Sequence, residues 1–185
     1  SPDKSKLLYT VTYYSIQENK GNTEIFVMNI DGSDKKQLTQ TASRENAAKW
    51  MNDGKHIAYI SNESGSPQLW IMREDGKKRR QITDREGGIS DFMFAPDEKK
   101  ILFVADVKTK NTVTDMHPDL PQATGVIADD LMYKHWDEWV SSAPHPFVAD
   151  FDGEKISGEK DVLEGEPYES PVKPMGGIEQ LAWSP

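Results

Sequence analysis

Residues 49–61 read K-W-M-N-D-G-K-H-I-A-Y-I-S: an aromatic, then Asn52-Asp53-Gly54, then a short apolar run. Asp-Gly between such runs is a strong local hairpin signal, because a type I′ turn needs positive φ at both central residues and Asn, Asp and Gly tolerate it. The stretch is therefore expected to be a β-hairpin, and it recurs. Residues 91–105, D-F-M-F-A-P-D-E-K-K-I-L-F-V-A, put Phe94 in the place of Trp50 and Ile101-Leu102-Phe103 in the place of Ile57-Ala58-Tyr59. The chain opens on the same phrase, S-P-D-K-S-K-L-L-Y, and ends on its beginning, L-A-W-S-P. Asp3, Asp53 and Asp97 stand 50 and 44 residues apart. A period in the forties, four short strands long, indicates propeller blades.

Outward from that hairpin the blades can be drawn at about residues 1–40, 46–84 and 89–164, with residues 178–185 starting another. In the first, 7–14 and 24–30 are strands, and Asp31-Gly32 leads to Lys36-Gln37-Leu38-Thr39. In the second, Gln68-Leu69-Trp70-Ile71-Met72 matches residues 24–28, and Asp75-Gly76 leads to Arg80-Gln81-Ile82-Thr83. The runs E-I-F-V-M, Q-L-W-I-M and K-I-L-F-V-A do not alternate polar with apolar, so both faces of these strands call for burial, as in sheets stacked face to face. Trp50, Trp70 and Phe94 are accordingly packing positions. The fold class is all-β: a propeller fragment of about three four-stranded antiparallel blades with one helical insertion.

That insertion follows from the third blade. Tyr59 and Asp75 are 16 residues apart, whereas the matching Phe103 and Asp152 are 49 apart, so some 33 residues interrupt the blade within 106–143. The insert begins as polar loop. In residues 126–140, V-I-A-D-D-L-M-Y-K-H-W-D-E-W-V, there is no Gly or Pro, and Ala128, Met132, Trp136, Trp139 and Val140 form one stripe at helical spacing, which predicts an amphipathic helix. Insertions of this size tend to reach from a rim, where function concentrates.

The chain carries 31 acidic against 22 basic residues, net charge −9, which argues against nucleic acid as a partner. Lys77-Lys78-Arg79-Arg80 reads as a solvated hairpin end. No apolar run approaches the ~20 residues that cross a bilayer, and the Ser1 end carries no signal peptide. Both ends cut the repeat at nearly the same point, as an excised piece of a longer protein would. The absence of cysteine excludes disulfides and thiolate chemistry. No metal or cofactor site is expected: His135 with Asp137 and Glu138 lacks the H-E-x-x-H spacing, Asp31-Gly32-Ser33-Asp34 is too short for a calcium loop, and neither Gly87-Gly88 nor Gly176-Gly177 sits between strand and helix as a phosphate cradle would. There is no G-x-S-x-G, and no serine is arranged beside His56, His117, His135 or His145.

The repeat resembles the Tol-system propeller motif, W-S-P-D-G-K-x-I-A-Y followed by I-Y-V-M-D-x-D-G and Q-L-T. The phrase D-L-M-Y-K-H-W-D-E-W at 130–139, closed by H-P-F-V-A-D at 145–150, resembles the propeller domain of bacterial dipeptidyl and acylaminoacyl peptidases of the prolyl oligopeptidase family. That resemblance implies a non-catalytic propeller that covers a C-terminal α/β-hydrolase domain, filters peptide substrates and works in a periplasm or outside the cell. It also implies a substrate amine held by adjacent carboxylates on a helical insertion. The usual pair there is Glu-Glu; the candidates here are Asp129-Asp130 and Asp137-Glu138. Against this, Asp130, Lys134 and Glu138 at i, i+4 and i+8 would equally form ion pairs on a solvated helix face, and Asp129 and Asp130 would suit a helix's first turn. The other reading is a non-enzymatic Tol-like propeller that binds a protein partner. Three blades do not close a ring, so exposed sheet faces are expected to drive self-association.

Overall fold

The computed structural model describes residues 1–126, 134–135 and 138–184. Three antiparallel sheets follow one another. The first contains β1 (Lys6–Ser15), β2 (Lys20–Asn29) and β3 (Lys36–Gln37) in that order. The second is β4 (Glu45–Trp50), β5 (His56–Ser61), β6 (Gln68–Arg73) and β7 (Arg80–Gln81). The third comprises β8 (Asp91–Phe94), β9 (Lys100–Lys108), β12 (Ser142–Phe151) and β13 (Ile156–Asp161), ordered β13-β12-β9-β8. Between β9 and β12 lie a helical turn, α1 (Val113–Met116), and a two-residue ladder, β10 (Lys134–His135) with β11 (Glu138–Trp139). A 3-10 turn at Ile178–Gln180 comes last, beyond which the Trp183 indole donates to the Met93 carbonyl on β8 at 3.3 Å.

The all-β propeller fragment is borne out, with two differences. The first sheet has three strands, β1-β2-β3, where four were expected. The helical segment of the insertion is also not where periodicity puts it. Residues 127–133 and 136–137 lie outside the described residues, but Lys134 pairs with Trp139 and His135 with Glu138 as a β-ladder, so the helix expected over 126–140 does not run through them. Helix propensity and an apolar stripe are weak priors that tertiary context overrides. Trp139 is half-exposed rather than on a buried helical face.

The repeat is visible bond by bond. The Ile25 amide donates to Thr39 Oγ1 and the Leu69 amide to Thr83 Oγ1, both at 2.9 Å, which fastens each outer segment to its sheet. The Asp-x turns are Asx turns: the Lys55 amide donates to Asp53 Oδ1 at 2.8 Å and the Lys99 amide to Asp97 Oδ1 at 3.0 Å. These turns are not type I′, since of Asn52, Asp53 and Gly54 only Gly54 has positive φ, 64°. Lys4 and Glu98 take the same left-handed conformation at 61° and 55°.

The second sheet is covered on both faces, which accounts for its unalternating sequence. Ile57, Tyr59 and Met72 meet Ile25, Val27 and Leu38 of the first sheet. Ala58, Ile60, Leu69 and Ile71 meet Phe92, Ile101, Phe103 and Phe147 of the third.

Candidate functional site

Strands β1, β5 and β9 occupy equivalent places in their sheets, so the connections 16–19 and 62–67 open on one rim together with the two feet of the insertion, Thr109 and Ser141. Its base is pinned by the Thr109 and Lys110 amides, which donate to the Ser141 carbonyl at 3.0 and 3.3 Å. Thr112 caps α1: its amide donates to Asp115 Oδ2 at 2.6 Å, while Lys108 Nζ also pairs with that carboxylate. The Lys108 ammonium, followed by the Thr112 hydroxyl and amide, holds the Asp115 carboxyl well below the usual range. On the other side, Lys173 Nζ donates to Asp106 Oδ1 at 3.1 Å, and the Ser170 amide donates to the Pro144 carbonyl at 2.8 Å. The acidic connection 164–177 is thereby tied across the root of the insertion.

Farther along the rim, between the first two sheets, lies an open cleft of about 540 Å³ lined by Tyr13, Tyr14, Lys20, Asn22, Arg44 and Asn62 among others. Tyr14 is 81 % exposed. Arg44 Nε donates to the Gly21 carbonyl at 2.9 Å, and the Arg44 amide donates to Asn62 Oδ1 at 2.7 Å, so this edge of the cleft is fixed by backbone contacts. The arrangement offers aromatic faces and guanidinium donors to a polar chain. Sequence reading passed over it, because a cleft between two blades carries no motif.

Of the expected substrate-binding residues, Asp129, Asp130 and Asp137 lie outside the described residues. Glu138 is placed by its backbone in β11, opposite His135, and not on a helix with Lys134. The described histidine contacts are with carboxylates. His145 Nδ1 lies 2.9 Å from Asp161 Oδ2 with the ring only 1 % exposed, which makes it a strut between β12 and β13. His56 Nδ1 lies 2.6 Å from Asp53 Oδ2 at a turn on the opposite rim. Among the described residues no three His, Cys, Asp or Glu converge as a metal site, and no helix is long and apolar enough to cross a membrane.

All 185 residues match the family described as "TolB beta propeller domain". The chain is 54 % identical over its whole length to dipeptidyl-peptidase 5 of Porphyromonas gingivalis, of which it spans 27 %. Among solved structures it is similar to an acylaminoacyl peptidase in complex with Z-Gly-Gly-Phe-chloromethyl ketone, with a TM-score of 0.62 and 16 % identity over 85 % of this chain and 24 % of that one. It is also similar to a putative TolB from Agrobacterium tumefaciens, with a TM-score of 0.53 and 21 % identity over 92 % of this chain and 52 % of that one. At these identities the structural likenesses concern the fold.

Proposed function

The chain belongs to the TolB β-propeller domain family, and from that premise we propose that it is the non-catalytic propeller domain of a periplasmic or secreted serine exopeptidase, gating and helping to bind peptides for a hydrolase domain elsewhere in the protein. The observation that carries this reading is the 54 % identity to a dipeptidyl-peptidase across all 185 residues, insertion included. A propeller repeat alone is shared by unrelated functions; a match that covers the whole chain, with the 33-residue insertion inside it, is a narrower similarity. The outer face of the first sheet, where Tyr9 stacks on Phe26 with ring centroids 5.4 Å apart, is where a further blade packs in the whole protein, or a second copy packs on the isolated chain.

Within this reading the insertion anchors the substrate's free amine. An ammonium presented to two carboxylates in a partly dry cleft gains charge-assisted hydrogen bonds that an acylated terminus does not make. The test uses the full-length protein and compares free-amine with N-acylated dipeptide substrates. Asp129→Asn with Asp130→Asn, or Asp137→Asn with Glu138→Gln, is expected to lower kcat/KM for the free amine roughly 10- to 100-fold, the worth of a hydrogen bond to a charged group, and to spare the acylated substrate. If neither pair separates the two substrates, the amine anchor is wrong. If the full-length protein hydrolyses no peptide and instead retains a protein partner, the Tol-like reading replaces the peptidase one.

A further inference from the structure

Two glutamates meet inside the junction between the first and second sheets. Glu24 on β2 is 3 % exposed and Glu45 at the start of β4 is fully buried. Glu24 Oε1 accepts from Asn22 Nδ2 and from the Thr41 amide, both at 2.9 Å. Glu45 Oε1 accepts from Thr41 Oγ1 at 2.8 Å and Ser61 Oγ at 3.0 Å. The second oxygen of each carboxyl is buried without a donor. Among the described residues no cation forms an ion pair with either group, and the Arg79 charge acts on Glu45 only through space. Arg79, which faces this region from beyond β6, is engaged by Tyr59 Oη and Glu63, and Arg44 is held by the Gly21 carbonyl.

The same slots at the next junction show what an uncharged version looks like. Glu24 corresponds to Gln68 and Glu45 to Ile89. Gln68 Oε1 accepts from the Arg85 amide at 3.1 Å, as Glu24 does from Thr41, but Gln68 Nε2 donates to the Arg85 carbonyl at 2.7 Å and Ile89 is apolar and 2 % exposed. Two buried carboxylates side by side, each with an acceptor oxygen and no donor, are not stable together; one proton between them supplies the missing donor.

We propose that Glu24 and Glu45 share one proton across this junction, and that its release as the medium turns alkaline loosens the first sheet from the second and the floor of the rim cleft above them. The cleft is involved because Thr41, bonded to both carboxyls, begins the 41–45 segment that carries Arg44. The Glu45 pKa is pushed up to about 7: burial is the largest influence, the Thr41 and Ser61 hydroxyls oppose the rise, and the neighbouring Glu24 charge adds to it. Between the ordinary glutamate range and about pH 7 the folded chain holds a proton that the unfolded chain has released. Stability is therefore full below that window and falls as pH rises through it.

The test is urea denaturation of the intact chain from pH 5 to pH 8, with amide exchange followed at Ile25 and Thr41. The folding equilibrium is expected to weaken roughly tenfold to a hundredfold over that range, with exchange at these two amides accelerating. Glu24→Gln, which gives the site the amide that Gln68 already provides next door, is expected to shrink the decline severalfold, and Glu45→Gln to do the same. Carbon-13 titration of the glutamate carboxyls in the unmodified chain is expected to show one that titrates well above the others, a readout that does not depend on either variant folding. A flat stability profile, an undiminished decline in both variants, or glutamates that all titrate in the ordinary range would overturn the proposal. So would stabilisation by Ca²⁺ that requires both carboxylates, since the bridging charge would then be a metal and not a proton.

Discussion

The junction between the second and third sheets and that between the first and second are built from the same repeat and closed by different means. The former is an aromatic core: Phe103 stacks on Phe147 at 5.4 Å, Phe94 lies 5.1 Å from Phe151, and Arg85 sits 4.0 Å above the Phe147 ring. The latter is a smaller layer in which Ile25, Val27, Leu38, Ile57 and Met72 surround Tyr59, with Trp50 and Trp70 partly buried against it and the glutamate pair at its rim end. Identical strand order thus fixes where two sheets meet without fixing how strongly. One junction draws on apolar area, which is insensitive to pH; the other adds a proton to a smaller area. The rim cleft lies over the second kind.

The largest effect expected from this contrast is at the aromatic junction. Phe103→Ala deletes a fully buried ring and its stacking partner's contact, and is expected to cost about 3–5 kcal/mol, the range for large core truncations. Ile25→Ala, equally buried in the smaller junction, is expected to cost about 2–4 kcal/mol because less surrounds it and the site collapses more readily. Urea midpoints at one pH measure both. A larger loss for Ile25→Ala would reverse the order of the two junctions.

Much of this was legible in the sequence, because the signals that fix a propeller are short and repeated. The Asp-Gly turns, the twice-written Q-L-T and Q-I-T, and the apolar runs on β2, β6 and β9 each place a strand without long-range information. The turn class was not legible, since Asp53 accepts the Lys55 and His56 amides and so removes the need for a second positive φ. The helix misplaced over 126–140 shows the limit of periodicity: a stripe at helical spacing says which residues share a face only if the segment is helical at all. The glutamate pair was hidden for another reason. E-I-F-V-M beside Q-L-W-I-M shows a charge in an amide's slot, but the residue opposite it, Glu45, comes from another blade, and single-chain spacing does not register that meeting.

Converting one junction toward the other sharpens the comparison. Gln68→Glu keeps an acceptor for the Arg85 amide and the Thr83 hydroxyl but removes the Nε2 donation to the Arg85 carbonyl, leaving a carboxylate facing a carbonyl and Ile89 with no second carboxyl to share a proton. The cost is expected to be about 1–3 kcal/mol at neutral pH and to shrink as pH falls and the new carboxyl is protonated. Melting at pH 5 and pH 8 reads it. Equal destabilisation at both would show that the slot tolerates charge and that the pair next door needs no proton.

The smallest effect concerns Ser61. Its hydroxyl donates to Glu45 Oε1 at 3.0 Å, while the matching residue of the third sheet, Ala105, has no hydroxyl and the slot matching Glu45 there holds Ile89. Ser61→Ala removes one of two hydroxyl donors from a buried carboxyl without creating a large cavity. With the proton in place the acceptor is close to neutral and the loss is that of an ordinary hydrogen bond, about 1 kcal/mol. Once the proton leaves, the same donor serves a buried anion and its removal is expected to cost about 1.5–3 kcal/mol. The Ser61→Ala penalty should therefore grow between pH 5 and pH 8, in parallel with the unmodified chain's own decline. A penalty that stays constant over that range would mean that Glu45 does not change charge there, and would return the difference between the two junctions to packing alone.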